Sequence, residues 1–224
     1  RYRRWRKLSA CTKRCMTAID PSIACVLLAA GSARRFGGGK LLATLGGLPL
    51  WEWAAEKFEQ AGFQHRYVVV QPSDTNGPAR SGWKAVHNHS AQEGIASSIR
   101  AGVEAASGHA RIVIGLADMP FAEPDHLSAL ARGNGPIFTL FPDGRAGCPA
   151  GFSAEVFPHL MLLQGDRGAA ALYASLQGAS LRAPPTSTTT FDIDDEANLA
   201  RAEQMIRNDP SLVPKQVTAT LPEN

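Results

Sequence analysis

Residues 31–40 read Gly31-Ser32-Ala33-Arg34-Arg35-Phe36-Gly37-Gly38-Gly39-Lys40, with four glycines and three cations in ten positions. Glycine lets the backbone reach φ > 0 and approach a ligand with no Cβ in the way. Several N–H groups can then converge on one anion. Arg34, Arg35 and Lys40 would add full charges around that concavity, and the chemistry that fits is the binding of a polyphosphate. The bland alternative is a basic surface loop. Lys40 is followed by Leu41 rather than Ser or Thr, so this is not a Walker loop. Arg34 and Arg35 stand where the dinucleotide fingerprint needs its third glycine. A second chemical candidate is Asp118, in Ala117-Asp118-Met119-Pro120. A carboxylate at the mouth of a sheet suits Mg²⁺ through hard oxygen ligands. Its structural alternative is a helix N-cap or a surface turn.

The loop follows eight apolar residues, Ile23–Ala30, which read as a strand covered on both faces. Asp118 follows another buried-type strand, Arg111–Leu116. Further strands are expected at Tyr67–Val70, Lys84–Asn88, Pro136–Phe141 and Thr188–Ile193. Helical spacing appears in Leu50–Gln60, with Gly62 as its C-cap, and in Glu93–Ala106 and Pro124–Ala131. It appears again in Ala154–Leu163 (bent at Pro158), Gly165–Leu176 and Asp195–Ile206. Strands alternating with helices imply a single α/β domain with a mainly parallel mixed sheet between two helical layers, a three-layer Rossmann-like fold. Ligands bind such sheets beyond the carboxyl ends of the strands, so residues 31–40 and Asp118 can share one rim.

At 224 residues and 44% apolar content the chain can bury a sizeable core. Its net charge of +3 is concentrated at the start, where residues 1–14 carry seven Arg or Lys and no acid. Beyond them 16 of the 23 basic residues face 20 acidic ones, which argues against nucleic acid as a partner of the folded part. Residues 1–20 are expected to be a basic extension outside the fold, with Met16 the natural start. Residues 21–207 are expected to form the domain and 208–224 a frayed tail. No apolar run approaches the roughly 18 residues that span a bilayer, so no membrane partner is expected. Cys11, Cys15, Cys25 and Cys148 show no CxxC pairing, and reduced thiols in a cytoplasmic protein are the expectation. His87 and His89 lack a third metal ligand and are read as structural.

The segment around Leu28, Ala29, Ala30, Gly31, Arg35, Gly37 and Lys40 resembles the signature of nucleotidyltransferases, in particular the molybdenum cofactor cytidylyltransferases. Ala33 stands where the pattern carries a serine. The Asp118-Met119-Pro120 segment resembles the family's Leu-x-Asp-Met-Pro metal site. Gly165-Asp166-Arg167-Gly168-Ala169 matches its Gly-Asp-Arg-Gly-Ala stretch. As plain sequence, Asp166 would suit a helix N-cap, whereas the Arg167 guanidinium fits a phosphate. Gly147-Cys148-Pro149 resembles a substrate strand of the family, with Cys148 in place of an amide or imidazole. Gly94 to Ile99 resembles the helix opening that lies against base and sugar, and Ser97 and Ser98 there can bond a ligand or simply satisfy the helix start. Asp192-Ile193-Asp194 resembles the family's closing Asp-x-Asp, followed here by Asp195-Glu196 in place of Thr-Pro. Alternation would put Asp192 and Asp194 on one strand face, so either can complete the metal shell. These segments span Ile23 to about Leu199.

The resemblance implies transfer of CMP from CTP to the phosphate of Mo-molybdopterin. Pyrophosphate would be released, and the dinucleotide cofactor would serve a xanthine-dehydrogenase-like molybdoenzyme. The catalytic residues would be Arg35, Lys40 and Asp118. Nucleotide would be bound by Leu28, Ala29, Ala30, Gly31, Gly37, Gly38, Gly39, Ser97 and Ser98. Acceptor would be bound by Gly147, Asp166, Arg167 and Gly168. Mg²⁺ would sit on Asp118 with Asp192 or Asp194. An ionised phosphate needs no strong base to attack the α-phosphorus, so positioning and electrostatics would carry the rate. The alternatives are guanylyl transfer, transfer to a sugar phosphate, and a non-catalytic carrier of the finished cofactor. The family's cytidylyl branch carries Ala-Ala-Gly where its guanylyl branch carries Ala-Gly-Gly, and this chain has Ala29-Ala30-Gly31.

Overall fold

The computed structural model describes residues 18–31, 42–73 and 80–213. The apolar run after Ser22 forms strand β1 (Ile23–Leu28), and Ala29-Ala30 continue from it buried but outside the strand. After Leu42 a small hairpin pairs β2 (Thr44–Leu45) with β3 (Leu48–Pro49). It turns on Gly46 and Gly47, whose φ values of 56° and 84° suit glycine. Helix α1 (Leu50–Gln60) follows and ends where Gly62 takes φ 93°. Then come β4 (His65–Val70), β5 (Trp83–His87), α2 (Ile95–Ala105), β6 (Arg111–Leu116) and α3 (Pro124–Arg132). The chain closes through β7 (Ile137–Leu140), β8 (Ala146–Ser153), α4 (Phe157–Met161), β9 (Ser180–Arg182) and α5 (Glu196–Asn208).

The main sheet runs β5-β4-β1-β6-β8-β7-β9. Of its seven strands only β8 is antiparallel to its neighbours; β1, β4, β5 and β6 are mutually parallel, and β9 runs parallel to β7. Helices cover both faces. One core holds Val26, Ile99, Val103, Ile114, Phe152 and Leu160 between the sheet and α2 with α4. The other holds Cys25, Leu27, Phe58, Val113, Leu127 and Ile19 against α1 and α3. A third cluster of Leu45, Leu50, Trp53, Phe121, Ile193, Ala202 and Ile206 packs α5 over the hairpin. This is the three-layer α/β architecture with a mixed sheet that the strand–helix alternation predicts.

Two glycines fix how closely the layers approach. A Cβ on Gly115 would fall 2.5 Å from the Phe58 ring, and one on Gly102 would fall 2.4 Å from Val26. Gly102 thus lets α2 lie directly on β1 and β4. Ser98, one turn earlier on the same helix face, is carried toward the end of β1.

The chain departs from the sequence expectation at several points. Strand β9 and the β2–β3 hairpin form where no strand is expected. Ile19, in the extension expected outside the fold, is buried in the core, and its N–H bonds Gly62 O. Gly165–Leu176 is not a helix: residues 165–168 are irregular and only Ala169–Leu172 makes a 3₁₀ turn. Gly165 stands at φ 60° and its carbonyl accepts the Ala96 N–H (3.1 Å), so the backbone is used for docking onto α2 rather than for a helix of its own. Thr188–Ile193 is not a strand: Ser187–Thr190 is 3₁₀, and the extended residues that follow pair with no strand. Ala154–Leu163 divides into a 3₁₀ turn (Ala154–Val156) and α4, with Pro158 in the first turn of α4, where its missing N–H costs nothing.

Candidate nucleotide crevice

Successive strands run from β1 outward to β4 and β5, then the chain returns to place β6 on the other side of β1. Gly31, after β1, and Asp118, after β6, therefore stand beside one another at the carboxyl ends of two neighbouring parallel strands, where such sheets bind ligands. A cavity of about 200 Å³ sits there, lined by Leu28, Ala30, Gly31, Ala91, Gly94, Ile95, Ser98, Leu116, Asp118 and Asp166. Its sides are apolar, supplied by Leu28, Ala30, Ile95 and Leu116, and its polar groups are the Ser98 hydroxyl and the two carboxylates.

Backbone and side-chain bonds hold several of the lining groups. Ala29 N donates to Val69 O (2.8 Å) and Ala117 N to Leu28 O (3.0 Å), which carries the ladders of β1 one step past its end. Gln71 Nε2 donates to Ala30 O (3.1 Å) and pins the start of the glycine-rich segment. Gly94 stands at φ 102°, and a Cβ on it would lie 2.4 Å from Asp166 Oδ1 and 2.5 Å from Gly165 O. The bare Gly94 backbone is thus what lets the Gly165-Asp166 segment close over the start of α2. Asp118 lies within a turn in which Met119 N donates to Leu116 O (3.2 Å). Its own carbonyl accepts the Ile193 N–H (3.0 Å), so Asp192 and Asp194 flank the residue bonded to it.

Of the residues expected to meet, Leu28, Ala30, Gly31, Ser98, Asp118 and Asp166 line the one crevice. Ala29 faces the opposite core. Ser97 is buried, and its hydroxyl donates to Gly94 O (2.8 Å), the ordinary helix-start role. Gly147 lies in β8 under the Phe141 ring, where a Cβ would sit 2.0 Å from a ring carbon. Arg167 is exposed in the loop after Asp166, and Gly168 precedes the 3₁₀ turn. Asp166 caps no helix, contrary to its plain sequence reading, because the turn after it has Gly168 at its N-cap. Asp192 and Asp194 do not share a strand face, because their segment is not a strand; Asp192 is exposed and Asp194 half-buried. Arg35, Gly37, Gly38, Gly39 and Lys40 lie outside the described residues.

Cys148 is half-buried in β8, and burial pushes its thiol up to about 12, with the Asp118 carboxylate acting in the same direction. No group of three or more His, Cys, Asp or Glu side chains able to hold a metal exists among the described residues. No helix among them is long and apolar enough to cross a membrane. Sequence reasoning missed Asn88, a buried amide just past β5 that bonds both serines of α2. The signal for it was an Asn at a strand end two residues before a serine, the pattern of an Asx turn.

Residues 25–180 match the family described as the MobA-like NTP transferase domain. The chain is 30% identical over 199 residues to the purine catabolism protein PucB of Bacillus subtilis (strain 168), covering 81% of this chain and 97% of that protein. Among solved structures it is similar to Rv0371c of Mycobacterium tuberculosis H37Rv, at 25% identity and a TM-score of 0.72, covering 81% of this chain and 97% of the other. A second structure of Rv0371c is a complex with manganese, matched at 22% identity and a TM-score of 0.66 over 81% of this chain and 98% of that one. The fold is shared too with molybdopterin-guanine dinucleotide biosynthesis protein A from Archaeoglobus fulgidus (21% identity, TM-score 0.64, 83% of this chain and 99% of that one).

Proposed function

We propose, from the premise that this chain belongs to the MobA-like NTP transferase family, that it moves a nucleoside monophosphate from an NTP onto an acceptor phosphate. An acceptor phosphate oxygen would form a bond to the α-phosphorus as the α–β bridging oxygen leaves with pyrophosphate. The observation that carries this reading is the crevice at the carboxyl ends of β1 and β6, which gathers Gly31, Ser98, Asp118 and Asp166 beside an apolar slot. At about 200 Å³ it is smaller than the roughly 300–1,000 Å³ of a complete small-molecule site. It suits a base and part of its ribose, with the polyphosphate leaving past Gly31 toward residues 32–41. Arg35 and Lys40 would meet the phosphates there.

Two carboxylates beside a polyphosphate repel it unless a cation intervenes. The donor set fits a hard divalent ion: oxygen only, with Asp118 in the crevice and Asp192 and Asp194 flanking the residue bonded to its carbonyl. Such an ion is held by one or two carboxylates plus substrate phosphates, not by a closed protein cage. Asp118 with Asp194 or Asp192 would hold Mg²⁺ or Mn²⁺, which would neutralise phosphoryl charge when bound. The manganese complex of Rv0371c supports a divalent ion.

For the acceptor, a molybdopterin phosphate is supported by the A. fulgidus protein's name, and PucB's place in purine catabolism suits a recipient that hydroxylates a purine. For the base there are two readings. Guanylyl transfer has the better support among named relatives, through the molybdopterin-guanine protein. CMP transfer from CTP to Mo-molybdopterin is supported by Ala30, the position that separates the two branches, because its side chain lines the crevice while Ala29 does not. Pyrophosphate release from CTP, GTP, ATP and UTP, each with molybdopterin, with a sugar phosphate or with neither, tests the reading. Turnover with molybdopterin and one NTP is the expected result. Turnover with the sugar phosphate alone would overturn the acceptor, and binding without turnover would make the protein a carrier. Ala30→Gly should shift the CTP-to-GTP ratio toward GTP.

A further inference from the structure

Asn88 follows β5, is 4% exposed, and donates its N–H to Val70 O (2.9 Å). Its side-chain Oδ1 accepts the Ser90 N–H (3.0 Å), which fixes which end of the amide is oxygen. Both Nδ2 hydrogens are thereby turned toward α2, one to Ser97 Oγ (2.9 Å) and one to Ser98 Oγ (3.0 Å). Ser97 passes its own proton to Gly94 O and is closed within the protein. Ser98 is different. Its oxygen accepts from Asn88, it donates no hydrogen bond among the described residues, and the side chain lines the crevice. A hydroxyl carries one proton and two lone pairs; with a lone pair engaged on the Asn88 side, the proton is left for the open side.

We propose that Asn88 is a positioning residue that fixes Ser98 as a hydrogen-bond donor to the bound nucleotide. The crevice would then select, at that point, an atom with a lone pair (a ring nitrogen, a carbonyl or a ribose oxygen) and reject an amino group. The inference rests on the nucleotide reading above and adds to it the polarity of one recognition bond and the buried amide that sets it.

Asn88→Asp tests this, because it keeps an oxygen for the Ser90 N–H but puts an acceptor where the amide donated. The Ser98 proton then turns to the new carboxylate, and the lone pair faces the crevice. Equilibrium dialysis of the full chain with CTP and with GTP, each with Mg²⁺, should show affinity for the preferred nucleotide falling about tenfold. KM should rise in step while kcat changes by less than about threefold. Ser98→Ala should weaken binding to a similar extent, and the double variant no further than Ser98→Ala alone. Thermal melts check that each variant folds. If Asn88→Asp gives no cooperative melt, Asn88→Ala replaces it in the same cycle, with an expected loss of about threefold. Losses that add in the double variant, or unchanged binding in Asn88→Asp, overturn the inference and leave the function standing. A wild-type chain that binds neither nucleotide overturns both.

Discussion

On one side of the crevice, Gly94, Ile95 and Ser98 are fixed by neighbours close in sequence: Asn88, Ser90 and Ser97 form a closed set of hydrogen bonds beneath them. On the other side, Asp118 is linked through its carbonyl to Ile193, from a segment far later in the chain that is anchored by α5 and the β2–β3 hairpin. The first wall is preorganised largely by local chain geometry, with the Gly165-Asp166 segment closing over its start, and offers the Ser98 hydroxyl. The second wall is assembled over long range and offers the Asp118 carboxylate. On the proposed function, recognition of the nucleotide and handling of its charge would fall on differently supported parts of one site. The two functions should fail separately.

The sharpest way to break that division is at the charged wall. Asp118→Ala is expected to lower pyrophosphate release by about 10²–10³ in kcat, and Lys40→Ala by a similar factor. Near wild-type turnover in either purified variant removes that residue from the mechanism. Gly94→Ala should disturb both walls together. Its Cβ would need φ near 102° and would collide with Asp166 and the Gly165 carbonyl. A loss of about 2 kcal/mol or more in chemical denaturation is expected, along with weaker NTP binding; an unaffected midpoint would show that the 165–166 segment yields easily.

A smaller effect separates Asp194 from Asp192. Asp194→Asn should raise the Mg²⁺ concentration for half-maximal activity by about tenfold, whereas Asp192→Asn, at the exposed position, should raise it less. A reversed order in the two titrations assigns the ion to Asp192. The smallest effect lies away from both walls. His126 is buried in α3, and its Nε2 lies 2.8 Å from Thr139 Oγ1, which itself donates to the Pro149 carbonyl. Nε2 is then the donor, and burial, aided by Arg182, pushes the ring's pKa down to about 4 from an ordinary 6.5. Below 6.5 the unfolded chain takes up the proton first, so this group's contribution to stability is full above that pH and is lost as pH falls toward 4. In His126→Gln the decline of melting temperature between those pH values should be shallower, with KM for NTP unchanged.

How far the site could be read in advance differs between the walls for the same reason. Helix α1 and strand β6 fall where apolar periodicity puts them, and Gly31 and Asp118 follow β1 and β6 as the pattern demands. Asn88, by contrast, shows in sequence only as a turn former, because its value lies in reaching two serines of the next helix. The 165–176 segment has helical composition but surrenders it, since Gly165 must hand its carbonyl to Ala96. The threonine-rich run before Phe191 has strand propensity but finds no strand to pair with.

The order of buried strands and helices, the placement of a glycine-rich cationic segment after the first strand, and the carboxylate after the β6 strand are properties of the chain itself, because periodicity and residue type act locally. The tertiary structure decided the rest: that β8 runs against its neighbours, that Asp166 meets Gly94, that Ile193 between Asp192 and Asp194 bonds the Asp118 carbonyl, and that Ser98 rather than Ser97 faces the crevice. Those outcomes depend on which backbone groups and surfaces remain to be satisfied once the layers have closed, a balance that no short stretch of sequence contains.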